Sequence, residues 1–252
     1  MGSDSALRTL TVDIGGTGIK ALELDAEGRP LGDRDRELTP RPAHPEPILA
    51  LIATMLARHG FDRVSVGFPG VVVRGVVMTA PNLDRDAWRG IDLRAAVSAH
   101  CGKPVRVVND ADLQGYGVIA GSGVELVLTL GTGLGSALFT DGHLCANLEL
   151  GHHPFGRGKT YEQRIGDLVR KKIGKQRFRR RVDAMLCQLQ PFFNPDRIYL
   201  GGGNAKLLDG AALPDNAVVF RNEEGMRGGI RLWQDAGVDV HGSSWHSAHR
   251  RT

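Results

Sequence analysis

The chain has 252 residues, 41% of them apolar, and 34 glycines, enough to bury a core in one large domain or two modest lobes. Lys plus Arg exceed Asp plus Glu by only 32 to 28, a formal charge of +4 that does not imply a nucleic-acid partner. Cys101, Cys145 and Cys187 are too scattered for a disulfide framework or a zinc knuckle, the N-terminus has no apolar signal region, and no run approaches the roughly 18 apolar residues of a membrane span, so a soluble cytoplasmic protein is expected.

Leu10 to Ile14 reads as a short apolar strand broken by Gly15-Gly16. Strand character resumes from Ile19 to Leu24, and the turn Asp25-Ala26-Glu27-Gly28 precedes a third segment, opening an antiparallel meander. After a proline-rich loop from Thr39 to Pro47, apolar residues Ile48, Leu51, Ile52, Met55 and Leu56 place a helix over Ile48 to Arg58. Val64 to Phe68 is a strand, Val71 to Met78 a hairpin centred on Arg74-Gly75, and Leu93 to His100 a helix. Val105 to Val108 is a buried strand that delivers Asn109-Asp110 at its C-terminal end, a frequent place for a catalytic group in an α/β crevice. A helix is expected to follow over Ala111 to Ala120, weakened by Gly115 and Gly117.

A second unit then repeats the first in pattern. Ile14-Gly15-Gly16-Thr17 followed by Ala21-Leu22 overlays Leu130-Gly131-Thr132-Gly133 followed by Ala137-Leu138. Tyr161 to Gln190 reads as two helices interrupted near Gly174, and Pro195 to Leu200 as a strand running into Gly201-Gly202-Gly203-Asn204. Val218 to Phe220 is the last strand, Met226 to Trp233 a closing helix, and the polar tail from His241 is expected to be loose.

Chemistry concentrates in a few of these places. The Asp13-to-Gly18 segment and its counterpart at 131–133 expose backbone amides suited to phosphate, with Thr17 as a further donor and Asp13 able to orient a divalent cation. A tight hairpin needing glycine for shape alone is the alternative. Neither segment carries the spacing of a Walker loop or of a dinucleotide fingerprint. Asp110 can accept a proton from an attacking hydroxyl and Asn109 can hold a neighbouring one; the alternative is that Asp110 caps the next helix. Glu149 and His152, spaced i,i+3, share a face if one helical turn forms and suit adjacent sugar hydroxyls. Nine basic residues and one acid lie between Arg164 and Arg181, a field that draws a polyanion unless it simply faces solvent.

Taken together, DIGGTGIK at 13–20, FPGVV at 68–72, PNLD at 81–84, NDAD at 109–112, TLGTGLGSALF at 129–139, ELGH at 149–152, YLGGGNAK at 199–206 and NEEGMRGG at 222–229 resemble the ROK family of sugar kinases, specifically its polyphosphate glucokinase branch. The resemblance implies an α/β, actin-like (ribonuclease-H-like) two-lobed sugar kinase fold, with lobes at 1–112 and 113–252 and a final helix near 226–237 returning to the first lobe. It implies Asp110 as general base and Asn82, Asn109, Glu149 and His152 as sugar contacts. Gly15, Gly16, Thr17, Lys20, Thr129, Gly131, Thr132, Gly133, Gly201, Gly202 and Gly203 would surround the donor phosphates, with Asp13 at Mg²⁺, directly or through water. The implied donor is inorganic polyphosphate, ATP or both, the acceptor glucose at O6, and the assembly a homodimer without structural zinc, nucleic acid or membrane. After ELGH the chain departs from the branch by reading His153-Pro154-Phe155, which keeps another hexose or an amino sugar open as acceptor. The different-class alternative is a catalytically inactive sugar-binding regulator; the sugar-responsive repressors of the family carry an added N-terminal DNA-binding domain, for which the first hairpin near residue 10 leaves no room.

Overall fold

The computed structural model describes residues 7–145 and 147–235, so the tail from His241 lies outside the described residues. Strands β1 (Thr9–Ile14), β2 (Gly18–Leu24) and β3 (Asp35–Leu38) form the expected antiparallel meander. Helix α1 (Pro45–Leu56) carries the chain back to β4 (Arg63–Phe68), which pairs parallel to β1. The hairpin of β5 (Val72–Val73) and β6 (Val76–Val77) turns through Arg74 and Gly75, both at positive φ. Short helices α2 (Arg85–Trp88) and α3 (Leu93–Cys101) lead to β7 (Val105–Asn109), parallel to β4, and α4 (Asp110–Val118) starts directly from its end.

The second half repeats the plan. Strands β8 (Val124–Leu130), β9 (Leu134–Thr140) and β10 (His143–Cys145) form another meander. A 3₁₀ turn (Leu150–His152), α5 (Glu162–Ile165) and α6 (Asp167–Phe193) then connect to β11 (Arg197–Gly201), parallel to β8. A second 3₁₀ turn (Ala205–Leu208), β12 (Ala217–Val219), α7 (Asn222–Met226) and α8 (Gly228–Arg231) complete the second half. The strand orders β3-β2-β1-β4-β7 and β10-β9-β8-β11-β12 match position by position, in direction as well as neighbour. The short pattern match between the two hairpins is thus one visible piece of a whole-sheet repeat. This is the two-lobed α/β arrangement expected of a sugar kinase.

Each lobe has its own apolar core. In the first, Val12, Val66, Ile48, Ile52 and Trp88 are fully buried, and the Trp88 indole N–H donates to the Ala43 carbonyl at 2.9 Å. In the second, Phe178, Val182, Met185 and Leu186 of α6 cover Leu126, Leu128 and Ile198. The α6 segment contains the expected interruption: Gly174 at φ 74°, ψ 169° leaves helical geometry and divides it into two helical stretches.

Two differences from expectation have packing causes. The glycines of α4 do not weaken it in place, because a Cβ at Gly115 would enter the Phe139 ring and one at Gly117 would enter the Glu224 carbonyl oxygen and stand 2.6 Å from that of Gly225. Their absent side chains let α7 and β9 approach the helix. The closing helix over 226–233 is instead two short helices, α7 and α8, split at Arg227. The Ser65 hydroxyl donates to the Gly229 carbonyl at 2.7 Å and accepts from the Trp233 indole N–H at 2.8 Å, which sets this segment against β4; residues 236 and 237 of the expected helix lie outside the described residues.

Gly117→Ala is therefore expected to destabilise the protein by about 1–3 kcal/mol through overpacking against backbone, a drop of several degrees in melting temperature by calorimetry. Gly32→Ala, at a site with nothing within 4 Å, serves as the neutral control.

Candidate active site

The two glycine hairpins face one cleft. In the first, the Gly15 N–H donates to the Gly18 carbonyl at 3.0 Å, and a Cβ at Gly15 would stand 2.8 Å from that oxygen. Thr39 Oγ1 donates to the Gly15 carbonyl at 2.6 Å and Arg41 to the Gly16 carbonyl at 2.5 Å, so the turn is pinned from β3's far end. In the second, the Gly131 N–H donates to the Gly133 carbonyl at 3.1 Å. Glu162 occupies the space a Gly133 side chain would need, and the Asp167 N–H donates to the Gly131 and Thr132 carbonyls. Thr17 and Thr132 are both exposed at the cleft, each within its own glycine turn, although the first turn is one residue longer than the second.

Asp110 lies at the cleft floor, where β7 ends and α4 begins. The helix cap is not Asp110 but Asn109: its Oδ1 accepts from the N–H groups of Ala111 at 2.8 Å and Asp112 at 3.3 Å. The Asn109 amide also donates to the Gly70 carbonyl at 3.1 Å. Its side chain is thus largely committed to holding the floor together. Asp110 itself keeps one bond to the Ala111 N–H at 2.9 Å. Removal from bulk water, then the negative charges of Asp13 and Glu149, push the Asp110 carboxyl up to about 8, against the opposing pull of the Ala111 N–H and Lys20.

Asp13 and Lys20 are register partners across β1 and β2, and their side chains pair at 2.6 Å. Arg36 is the next register partner across β3 and lines the cleft mouth with Arg34. Asp13 is 4% exposed and, with Asp110, presents hard oxygen donors to the cleft. Among the described residues no group of three or more His, Cys, Asp or Glu can hold a metal. Such a donor set fits Mg²⁺ held by one or two carboxylates and completed by substrate phosphates and water.

At the other end of the floor, the 3₁₀ turn gives Glu149 and His152 the shared face that the spacing implied. Glu149 Oε2 and His152 Nε2 are 3.4 Å apart, and this hydrogen bond raises the imidazole above its ordinary pKa despite partial burial. His152 lines the cleft; His153 packs beside Tyr161 at 6.5 Å between ring centroids. The Phe155 ring, two residues further on, stacks on Tyr161 at 4.4 Å, so the His153-Pro154-Phe155 departure builds an aromatic support beside the Glu149–His152 turn.

The cleft encloses about 590 Å³ and gathers Asp13, Gly15, Gly16, Thr17, Lys20, Asn82, Asn109, Asp110, Thr129, Gly131, Thr132, Gly133, Glu149, His152, Gly202 and Gly203. Gly201 is the exception: it is buried beneath the Phe220 ring, which fills the space a Cβ would take. Sequence reasoning missed Arg34, Arg36, Gln114 and Glu162, named Asn204 and Lys206 only as part of the third glycine-rich segment, and placed Asp167 and Arg170 only in a charged run. Asp167 accepts from Arg170 at 2.5 Å and from Lys171 at 2.8 Å, bringing the start of α6 into the cleft wall. The basic run is also not one uniform face. Arg179 donates to the Leu207 and Asp209 carbonyls, and Arg181 to the Arg164 carbonyl, whereas Lys172, Lys175, Arg177 and Arg180 extend along the rest of the helix.

Two repeated lobes, paired glycine hairpins and a carboxylate floor between them define a sugar kinase. The ROK family model matches residues 9–160, and the chain belongs to the ROK family. It is 36% identical over 219 residues to the polyphosphate glucokinase of Mycobacterium leprae (strain TN), covering 82% of this chain and 67% of that protein. Among solved structures, the inorganic polyphosphate/ATP-glucomannokinase from Arthrobacter sp. strain KM aligns with a TM-score of 0.83 at 33% identity, over 90% of this chain and 99% of that one. A ROK family glucokinase from Streptomyces griseus, in complex with glucose and AMPPNP, shares the fold at a TM-score of 0.78 and 24% identity, over 90% of this chain and 100% of that one. No helix among the described residues is long and apolar enough to cross a membrane.

The raised Asp110 carboxyl has a sign that calorimetry can read. A carboxyl whose folded pKa exceeds its unfolded value contributes stability that is fully present below about pH 4 and is lost as pH rises through the folded value. Without ligands, Asp110→Asn is expected to melt above wild type at pH 8 and to approach it at pH 5. Parallel melting curves would place Asp110 in the ordinary carboxylate range.

Proposed function

We propose that the chain is a glucokinase that uses inorganic polyphosphate, ATP or both, and transfers a phosphoryl group to O6 of glucose. The observation that carries this is the position of Asp110, on one floor with the Asp13–Lys20 pair on one side and the Glu149–His152 pair on the other. Glu149 and His152 would hold sugar hydroxyls, with Asn82 at the rim and the remaining amide hydrogen of Asn109 beside them. The acceptor oxygen attacks the terminal phosphorus in line as the bridging P–O bond breaks, and the hydroxyl proton passes to the ionised Asp110 carboxylate. Lys20, the Thr17 and Thr132 hydroxyls and the hairpin amides would hold the donor oxygens. Asp13 would hold Mg²⁺, directly or through water, and the ion would supply neutralisation of the donor phosphates. The lobe boundary is assigned to 112/113, and the homodimer is part of the same reading.

Polyphosphate is favoured by the cations of α6. Arg170 stands in the cleft wall, and the exposed Lys172, Lys175, Arg177 and Arg180 follow it in the chain on either side of the break at Gly174, a concentration of positive charge that would attract a chain of phosphates extending beyond the cleft. The relatives named polyphosphate glucokinase and polyphosphate/ATP-glucomannokinase support the same donor.

The test is a paired donor assay with glucose, mannose, N-acetylmannosamine and other hexoses. Glucose 6-phosphate is expected from at least one donor, and transfer to no sugar with either donor would overturn the proposal. Asp110→Asn should lower kcat by roughly 10²–10⁴ while sugar still binds in calorimetry, as loss of a general base requires.

A second variant separates the donors. Neutralising Lys172, Lys175, Arg177 and Arg180 together should raise the KM for long-chain polyphosphate more than that for ATP, with the gap closing as salt is added. Arg179 and Arg181 are left in place because they hold carbonyls. Equal shifts for both donors would remove α6 from donor selection.

A further inference from the structure

Behind the cleft lies a further carboxyl group for which the phosphotransfer step has no use. Asp112, two residues beyond Asp110, is 1% exposed, and its Oδ1 accepts no hydrogen bond from the protein. The Asn147 backbone N–H hydrogen-bonds to the same carboxyl group. Asn147 in turn uses both ends of its side-chain amide on one residue of the opposite lobe: Oδ1 accepts from the Val72 N–H at 3.1 Å, and Nδ2 donates to the Val72 carbonyl at 3.2 Å. An amide paired this way acts as a one-residue strand added to β5. Asn147 also holds a left-handed φ of 63°, a conformation that an L residue keeps only where its contacts over-determine it.

The acceptor end comes directly after Asn147 in the chain. Leu148 and Leu150 are tied to β9 through Ser136, whose Oγ donates to the Leu148 carbonyl at 2.5 Å and accepts from the Leu150 N–H at 3.2 Å. Gly151 presses on the Leu134 carbonyl. Those bonds lie wholly within the second lobe. The Asn147 contacts instead link the segment to β5 of the first lobe and, through Asp112, to the first turn of the helix that carries Asp110.

We propose that Asp112 and Asn147 form a brace that fixes the Glu149–His152 segment relative to Asp110, making both of them positioning residues for the acceptor. This rests on the reading of Glu149 and His152 as the sugar grip. The chemistry of Asp112 suits a brace better than a reacting group. Asp112 is 1% exposed and is not among the residues lining the cleft, so its carboxyl group is placed to take the Asn147 N–H rather than to meet a substrate. An isosteric amide can do the same.

Steady-state kinetics of the full chain, together with amide hydrogen exchange of the unliganded protein, test the brace. Asn147→Ala and Asp112→Ala are expected to raise the acceptor KM about 10-fold or more, with the donor KM within about 2-fold of wild type, because a misplaced grip weakens sugar binding before it touches the donor. Exchange should quicken at 148–152 and stay unchanged in β8 and β11. Asp112→Asn should restore both readouts to near wild type. An unchanged acceptor KM with unchanged exchange would overturn the proposal, as would a uniform loss of every kinetic parameter with a lowered melting temperature. Asp112→Asn behaving like Asp112→Ala would overturn the hydrogen-bond role of Asp112. If the wild-type chain phosphorylates no sugar, the functional reading fails, and the exchange pattern alone then decides whether the brace exists.

Discussion

Asn109 is the side chain on which the geometry of the floor depends. Its amide oxygen takes two of the four N–H groups that the start of α4 leaves without helical partners, and its nitrogen holds the Gly70 carbonyl at the end of β4's loop. One buried residue therefore fixes the exit of β7, the first turn of α4 and the approach of the β5–β6 hairpin. Caps of this kind contribute about 0.5–2 kcal/mol, and here the larger effect is directional. Asp110, next in the chain, has its backbone set by that cap and its side chain turned into the cleft.

Around that point the electrostatics are unbalanced. Asp13, Asp110, Asp112 and Glu149 are brought together, while Lys20 is the cation that pairs directly with one of them at the floor. His152 answers Glu149. In a region shielded from water such an excess of carboxylates is met by protonation, and Asp110 and Asp112 both shift that way. A site of this sign repels phosphate unless cations accompany it. Arg34, Arg36, Arg170 and Lys206 also line the cleft and bring positive charge to its walls.

Much of this was legible in the residues themselves, because local chemistry dictates it. Glycine pairs between short apolar runs demand hairpins, and Asn109-Asp110 after Val105 to Val108 marks a strand end that opens on a crevice. The i,i+3 spacing of Glu149 and His152 translated directly into a shared face, and Gly174 into a break in α6. Other features depend on partners far away in sequence. Gly115 and Gly117 look like helix breakers until Phe139 and the Glu224 carbonyl are seen against them. Gly201 looks like a loop glycine until Phe220 lies over it. Arg179 and Arg181 look like members of a uniform basic face until the carbonyls they hold are known. The cap shows the same limit, since either Asn109 or Asp110 could have filled it, and the Gly70 carbonyl, 39 residues away, favours Asn109.

The contacts of Ser65 with Gly229 and Trp233 bear on how the molecule is made. Thr11 and Ser65 are fully buried in the first sheet, yet Gly229 packs on both, and the guanidinium groups of Arg63 and Arg106 lie 5.0 and 4.9 Å from the centre of the Trp233 ring. During synthesis the first lobe emerges complete in its strands but open over β1 and β4, and it stays so until the second lobe has been translated and the last helices come back across it. Such long-range closure is slow, and it leaves polar and apolar surface of the nascent lobe uncovered in the interval. The order of translation and the order of structural completion therefore differ, and the earliest lobe to leave the ribosome is among the last parts to be sealed.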